Sequence, residues 1–285
     1  MAIGATAAAA AAGACSPGGL LTRFDRISRG GVARRATGLS YGADPRQRLD
    51  IWAPAGPSPA GGSPTIIFFY GGGWASGNRG DYGFAAAGLA SRGFLVAVPD
   101  YRLVPEVRFP TFIEDCALAV RWVGDHSADY GGDRRRLALC GHSAGAYNAA
   151  MIALDRHYLR DAGADPRSVR AAALLAGPYD FYPFTEDYGR NALGNWPVPA
   201  ETQPITFARG DAPPMLLLHG SDDRTAYPRN SINLAKRQRE LGAPVTLKLY
   251  PGKGHVDLVA SLSRTLRGRT PALDDVASFL HQNLD

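Results

Sequence analysis

The sequence contains few cysteines, few lysines and no long apolar segment, and each shortage excludes a class of protein. Three cysteines among 285 residues, one of them Cys15, are too few and too odd in number for a disulfide framework. Cys116 falls in a helical pattern and Cys140 in an apolar strand pattern, so both are predicted to be small core residues. The alanine-rich stretch at residues 2–14 is too short to span a bilayer.

Positive charge comes almost entirely from arginine, because Lys236, Lys248 and Lys253 are the only lysines in a chain of net charge +5. The arginines are spread along the chain and interleaved with acids, and the one tight cluster, at residues 134–136, is predicted to lie in a loop. A nucleic-acid site requires basic residues concentrated on one patch or stripe. We therefore expect a solvated arginine-rich surface and no nucleic-acid partner.

Residues 1–38 are predicted to be a leader and an N-terminal arm, with weak helical character over residues 16–40. Residues 12–15 (Ala-Gly-Ala-Cys) resemble a bacterial lipoprotein box, in which Cys15 would carry a lipid anchor. No Lys or Arg precedes the apolar stretch, although a secretory signal normally has a positive first region. The sequence leaves two locations open, the bacterial cell envelope or periplasm and the cytoplasm.

From residue 39 to residue 285, apolar runs alternate with amphipathic segments. The predicted strands are residues 49–54, 65–70, 94–98, 137–140, 171–176, 214–218 and 245–250. The predicted helices are residues 81–92, 111–124, 144–155, 228–241 and 271–283. This alternation predicts an α/β fold, a mostly parallel sheet with helices on both faces. Residues 178–212 have no clear period and are predicted to form a cap over the active site, with a long surface loop as the alternative.

A nucleophile-elbow motif occupies residues 141–145, which read Gly-His-Ser-Ala-Gly. An apolar strand pattern precedes the motif and an alanine-rich helical pattern follows it, which is the context that the motif requires. The glycines are needed because the serine sits in a strained turn with close neighbours. Ser143 is therefore predicted to be a nucleophile, at a helix N-terminus whose dipole and N–H groups favour an oxyanion.

A serine hydroxyl needs a base to take its proton, and in this kind of fold the base follows the serine in the chain. Among six histidines, His255 lies in a glycine-rich loop after a predicted strand, where α/β folds build their sites. His255 is predicted to be the base, whereas His142 is predicted to be structural. Asp222 and Asp223 both follow the strand at 214–218; Asp223 is favoured as the acid, and Asp222 as a turn-former.

Three consecutive glycines follow the predicted strand at residues 65–70. Glycine N–H groups can approach a substrate oxygen closely because no side chain intervenes. Gly72 and Gly73 are therefore predicted to be oxyanion donors, together with the N–H group of Ala144. Five aromatic residues are predicted either to form an apolar wall near the substrate or to pack in the core: Trp74, Tyr179, Phe181, Tyr182 and Trp196.

Together these motifs resemble the hormone-sensitive-lipase-like and feruloyl-esterase-like (BD-FAE-type) branch of the α/β-hydrolases, over roughly residues 39–285. The likeness rests on residues 41–42, 47–50, 70–74, 100–103, 131–133 and 141–145, with Asp223 and His255. The family's acid follows the strand-end histidine by four residues, which again favours Asp223. The family usually has His-Gly-Gly-Gly in the oxyanion loop, where a non-catalytic histidine helps to order the loop. This chain has Tyr70 at that position.

The resemblance implies a serine hydrolase that cleaves carboxylic esters of small or short-acyl substrates through an acyl-enzyme on Ser143. It implies a small-molecule ester as partner and requires no metal or organic cofactor, and the oligomeric state stays open. The glycine loop also looks like those of isoprenylcysteine methylesterases and kynurenine formamidases, so hydrolysis of a prenylcysteine methyl ester or an aryl formamide is the alternative. The alternative of another class is a catalytically silent binding protein on the same scaffold.

Overall fold

An eight-stranded sheet organises the chain in the computed structural model, which describes residues 30–285. The order across the sheet is β1-β2-β4-β3-β5-β6-β7-β8. The strands are β1 (Val32–Ser40), β2 (Arg48–Pro54), β3 (Ser63–Phe69), β4 (Leu95–Pro99), β5 (Gly132–His142), β6 (Val169–Leu175), β7 (Met215–Gly220) and β8 (Val245–Tyr250). Strands β3 to β8 run parallel to one another, whereas β2 is antiparallel to β1 and β4. The predicted leader and Cys15 lie outside the described residues.

Eight α-helices connect or follow these strands within residues 30–285. They are α1 (Gly83–Ala90), α2 (Thr111–His126), α3 (Ala144–Leu154), α4 (Arg156–Asp161), α5 (Asp187–Leu193), α6 (Arg229–Glu240), α7 (Asp257–Ala260) and α8 (Ala272–Leu284). Helix α8 packs on β5, β6 and β7 and against α1, while α3 packs on β3, β5 and β6 and against α2. None of these helices has both the length and the apolar character needed to span a bilayer.

The central strands lie in the core because both of their faces are covered. Every residue of β3 and β4 is buried, and in β5 burial is continuous from Leu137 to the strand end at His142. Continuous apolar runs of this kind are typical of parallel strands between two helical layers. The predicted α/β class, with a mostly parallel sheet and helices on both faces, is confirmed.

Two local predictions are wrong. Residues 32–40 form strand β1, which pairs with β2, and are not a weakly helical arm; the sheet therefore begins before residue 39. β1 is an edge strand with partly exposed arginines, so its sequence lacks the alternation of a half-buried strand. The arginine cluster at residues 134–136 lies within β5, which starts at Gly132. There Arg136 forms an ion pair with Asp133 of the same strand.

Residues 176–214, between β6 and β7, contain α5 and two short 3-10 helices, Pro199–Thr202 and Pro204–Phe207. The sequence of this insertion has no helical or strand periodicity, but buried amide side chains hold its backbone in place. The Asn230 side chain accepts hydrogen bonds from the N–H groups of Tyr179 and Asp180, at 2.9 and 2.8 Å, and Gln203 accepts one from Phe181 at 2.8 Å. Its predicted role as a cap stays a prediction.

Candidate active site

Ser143 occupies a sharp turn between β5 and α3. Its backbone has φ 54° and ψ −122°, a strained conformation for a residue with a side chain. The turn is possible because Gly145 has no Cβ: one built there would lie 2.1 Å from the carbonyl oxygen of Phe69. The strained turn therefore depends on the elbow glycine and holds Ser143 above the end of β5, at the first turn of α3.

His255 joins Ser143 to Asp223 through one imidazole ring. Its Nε2 lies 2.9 Å from Ser143 Oγ, and its Nδ1 lies 2.7 Å from Asp223 Oδ2. These contacts span 112 and 32 positions of sequence, and the loops after β5, β7 and β8 bring them together at one edge of the sheet. Asp222 is exposed and accepts a hydrogen bond from the Ser221 hydroxyl instead. The three residues predicted as nucleophile, base and acid thus lie in one hydrogen-bonded chain.

The Asp223 carboxylate is buried and has a hydrogen-bond donor at each available position. Oδ1 accepts from the N–H groups of Thr225 and Ala226, at 2.8 and 3.0 Å. Oδ2 lies between His255 and a second histidine, His219, whose Nε2 is 3.2 Å away. Burial by itself would raise the pKa of Asp223, but the hydrogen bonds from His219 and His255 outweigh it and hold this pKa well below the ordinary value.

His219 itself is fully buried, and its neighbours define its tautomer. Nε2 faces two acceptors, Asp223 Oδ2 and the carbonyl oxygen of Ala226, so Nε2 must carry the proton. Nδ1 lies 2.7 Å from the hydroxyl of Ser231 on α6. His219 therefore contacts the same carboxylate oxygen as His255 and helps to orient Asp223. His219 is the histidine at the end of β7, and the sequence pattern gave no sign of its contact with Asp223.

His142 supports the loop that carries His255. Its Nε2 lies 3.1 Å from the carbonyl oxygen of His255, so this nitrogen donates. Burial and the nearby His255 ring lower the pKa of His142 to about 3. The structural role predicted for His142 stays a prediction, supported by this contact with the backbone of His255.

The glycine loop after β3 lies directly against the nucleophile. A Cβ built on Gly71 would lie 3.0 Å from Cβ of Ser143. Gly72 and Gly73 have φ values of 130° and 60°, and both line the same cavity as Ser143 and Ala144. The indole N–H of Trp74 donates to Asn148 on α3 at 3.0 Å, which ties the loop to the helix that follows the nucleophile.

Tyr70, which replaces the family's usual histidine, is fully buried at the start of this loop. Its ring stacks on Tyr101 at 4.7 Å and on Tyr82 at 5.6 Å, and the Tyr101 hydroxyl donates to the Tyr70 carbonyl oxygen at 2.7 Å. Arg46 donates to the Tyr70 hydroxyl at 3.1 Å and to the Gly77 carbonyl oxygen at 2.6 Å. Tyr70 therefore anchors the start of the glycine loop by stacking, and Arg46 joins its hydroxyl to Gly77, at the other end of the loop.

A cavity of about 300 Å³ opens in front of Ser143, and we call it the catalytic cavity. Its walls include the predicted Trp74, and Ser143, His255 and the glycine loop face into it. The other four predicted wall residues are not among its lining residues. Tyr179 is buried, Phe181 packs at 6.0 Å from Tyr147, Tyr182 is 56% exposed, and Trp196 packs on Phe109.

Six other residues line the catalytic cavity but were not predicted from the sequence: Tyr82, Pro178, Tyr188, Thr225, Ala226 and Val256. His142, which was predicted to be structural, lines it as well. Tyr188 lies in the aromatic-rich insertion, where composition signals aromatic walls but the absence of a period hides which rings point inward. Thr225 and Val256 follow the acid and the base by two residues and one residue, and this proximity is the only signal that could have identified them. Among the described residues, no group of three or more His, Cys, Asp or Glu side chains is arranged to hold a metal ion.

Comparison with known proteins places this geometry in context. The isoprenylcysteine α-carbonyl methylesterase ICME of Arabidopsis thaliana is 28% identical over 85% of this chain and 61% of its own length. Esterase LipC of Mycobacterium tuberculosis is 31% identical over 85% of this chain and 64% of its own length. The chain thus spans about three fifths of the length of these curated relatives.

Solved structures share the fold at lower identity. A truncated carbohydrate esterase from gut microbiota superposes with a TM-score of 0.75 at 23% identity, covering 87% of this chain and 95% of its own. Esterase B of Lactobacillus rhamnosis superposes with a TM-score of 0.76 at 23% identity, covering 92% and 90%. The BD-FAE family model matches residues 49–237, which contain the nucleophile elbow and the predicted acid. The chain therefore belongs to the BD-FAE family and has the α/β-hydrolase fold.

Proposed function

We propose that this protein is a serine esterase that hydrolyses small carboxylic esters, with Ser143 as nucleophile, His255 as base and Asp223 as acid. The observation that carries the proposal is the continuous hydrogen-bonded chain from Asp223 through His255 to Ser143. Such a chain supplies a serine hydroxyl with the base that it needs, and the base with a group that orients it. The names of the relatives, all hydrolases of esters, support the same chemistry.

The first step would be acylation of Ser143. Because His255 Nδ1 faces the Asp223 carboxylate, the proton resides on Nδ1, and Nε2 is free to accept the Ser143 proton. Serine Oγ attacks the ester carbonyl and forms a tetrahedral intermediate. When this intermediate collapses, the ester C–O bond breaks, and His255 returns its proton to the leaving alcohol.

The second step would release the acid. Water enters the space left by the alcohol, and His255 takes one of its protons as the water oxygen attacks the acyl carbon. Collapse of this second intermediate returns the proton to Ser143 Oγ and frees the carboxylic acid. Asp223 stays ionised throughout and stabilises the imidazolium of His255, in agreement with its lowered pKa.

In both steps, the N–H groups of Gly72, Gly73 and Ala144 would hold the oxyanion. The glycine loop lies next to Ser143, and Ala144 is the first residue of α3, where backbone N–H groups have no partner inside the helix. Donors fixed before the reaction cost no reorganisation when charge develops on the substrate oxygen. The brace of Tyr70, Arg46 and Tyr101 would keep them fixed.

The volume of the catalytic cavity favours small substrates. Ligand pockets cover about 300–1,000 Å³, and this one lies at the lower end. The second candidate is hydrolysis of a prenylcysteine methyl ester, favoured by the relatives that are named isoprenylcysteine methylesterases. In that reaction the prenyl chain would have to extend beyond the catalytic cavity.

Hydrolysis of a substrate panel by wild type and Ser143→Ala tests the proposal. The panel contains p-nitrophenyl acetate, butyrate and decanoate, methyl ferulate, N-formylkynurenine and a farnesylcysteine methyl ester. We expect the short esters to be cleaved fastest, and this activity to vanish in the variant. Faster turnover of the farnesylcysteine ester or of the formamide would establish one of the alternatives instead.

A fluorophosphonate probe distinguishes an enzyme whose substrate is missing from the panel from a catalytically silent binding protein. We expect the probe to label the wild type and not Ser143→Ala, because only an activated serine reacts with it. A folded wild type that neither reacts with the probe nor cleaves any ester would refute the proposal and favour the catalytically silent scaffold.

A further inference from the structure

A second cleft lies beside the catalytic cavity, and Tyr188 lines both of them. Thr225 and Ala226 also line both of them. The second cleft is much the smaller of the two. Its walls combine the aromatic residues Phe181, Phe184 and Tyr227 with polar residues, among them Glu186 and Arg229. The Tyr188 side chain therefore stands at the boundary between the catalytic cavity and the second cleft.

Tyr188 is held in this position from several sides. Its hydroxyl donates to the carbonyl oxygen of Thr225 at 2.9 Å, so the insertion is fastened to the turn that carries the acid. Its ring lies 6.0 Å from the Trp74 ring, and its Cβ lies 3.2 Å from where a Cβ on Gly73 would stand. Because packing and a hydrogen bond fix opposite ends of the side chain, the ring forms a fixed wall.

We infer that Tyr188 is the specificity-determining residue that limits the length of the substrate group beside Ser143, because its ring closes the catalytic cavity against the second cleft. The inference rests on the proposed ester hydrolysis. Aromatic walls suit an apolar chain, so removal of the Tyr188 ring would let a longer chain extend from Ser143 along Phe181 and Phe184. The preferred substrates of the wild type would then be esters whose acyl or alcohol group ends at the Tyr188 ring.

The experiment compares kcat/KM for p-nitrophenyl butyrate and decanoate in the wild type and Tyr188→Ala, and repeats it with a series of alkyl acetates. Each further methylene buried contributes about fourfold to kcat/KM, which corresponds to about 0.8 kcal/mol. Room for two more methylenes would raise the ratio of long to short substrate by about tenfold or more. The series that responds identifies which group of the ester lies against Tyr188.

Two control variants isolate the ring. Tyr188→Phe keeps the wall and removes only the hydroxyl, so its long-to-short ratio should stay within about twofold of the wild type. Tyr182→Ala removes the same type of side chain from the same insertion, at a position outside both sets of lining residues, and should leave the ratio unchanged. If Tyr188→Ala does not fold, Tyr188→Leu provides the test. Leucine is shorter than the tyrosine side chain but offers an apolar surface to Trp74.

The outcomes separate this inference from the proposed function. If Tyr188→Ala and Tyr188→Leu cleave short esters but keep the wild-type ratio in both series, Tyr188 is not the wall, and ester hydrolysis stands. An equal rise of the ratio in Tyr182→Ala would also overturn the inference, because the effect would then be loosening of the insertion. If the wild type cleaves no ester and is not labelled by the fluorophosphonate, the proposed function fails and the inference falls with it.

Discussion

Asp223→Asn turns the carboxylate into an amide, with an NH₂ group in place of one oxygen, and should disable the proposed base His255. Oδ1 accepts two backbone N–H groups, from Thr225 and Ala226, so the amide oxygen of the variant would take that position. The amide NH₂ would then face Nδ1 of His255 and Nε2 of His219, which are both donors in the wild type. Donor would meet donor in a buried site, and His255 would change to the tautomer that carries its proton on Nε2.

That tautomer cannot accept the proton of Ser143, so the loss should be large. The same change in a serine-protease triad costs about 10⁴ in kcat, or roughly 5 kcal/mol of transition-state stabilisation. We expect a loss of similar size here because the 2.7 Å contact between His255 and a buried carboxylate has the same geometry. KM should change little, because Asp223 is not among the residues that line the catalytic cavity.

The assay is hydrolysis of p-nitrophenyl butyrate at neutral pH, with thermal unfolding to establish that each variant is folded. Asp222→Asn is the matched control, because the adjacent carboxylate is exposed and its amide oxygen can still accept from Ser221. It should retain activity within about twofold of the wild type. A folded Asp223→Asn within tenfold of wild-type kcat would refute the reasoning, as would an equal loss in Asp222→Asn.

Two further predictions concern the supports of the site. His142 has a pKa lowered to about 3 in the folded protein and an ordinary value of about 6.5 when unfolded, so the unfolded chain binds the extra proton between these values. Folding stability should therefore fall as pH drops from about 6.5 towards 3, by up to roughly 5 kcal/mol, and His142→Gln should flatten this part of a urea-denaturation pH profile. Tyr70→Phe loses the hydrogen bond from Arg46 but keeps both stacking contacts. We expect the free energy of unfolding to fall by about 1–3 kcal/mol and kcat/KM to fall less than tenfold. Tyr70→Ala removes the stacking as well and should lose most of the activity. A Phe variant as inactive as the Ala variant would contradict the stacking argument.

Much of the fold could be predicted because its central strands are covered on both faces. Residues 65–70 and 94–98 were predicted within two residues of β3 and β4, since continuous apolar runs need no distant information. Strand β1 was missed because an edge strand with two exposed arginines has no clear apolar face. Its assignment depends on pairing with β2, which a local pattern does not contain.

The aromatic residues that line the catalytic cavity from the insertion between β6 and β7 could not be predicted from local patterns either. Its composition indicated aromatic walls, and four aromatic residues from it were predicted: Tyr179, Phe181, Tyr182 and Trp196. None of these four lines the catalytic cavity, whereas Tyr188 does. Without a helical or strand pattern, the path of the insertion depends on buried partners such as Asn230, which lies outside it on α6 and accepts from the N–H group of Tyr179.

The sequence alone was enough to predict Ser143 as the nucleophile in a tight turn, because a strained serine between strand and helix requires small neighbours at fixed local positions. It also placed Asp223 and His255 after their strands, since parallel strands deliver such loops to one edge of a sheet. Only the tertiary structure decided that Asp223 rather than Asp222 contacts His255, and that Tyr188 lines the catalytic cavity. These contacts join segments far apart in the chain, so their distances depend on strand order and on the path of the insertion, which no local pattern encodes.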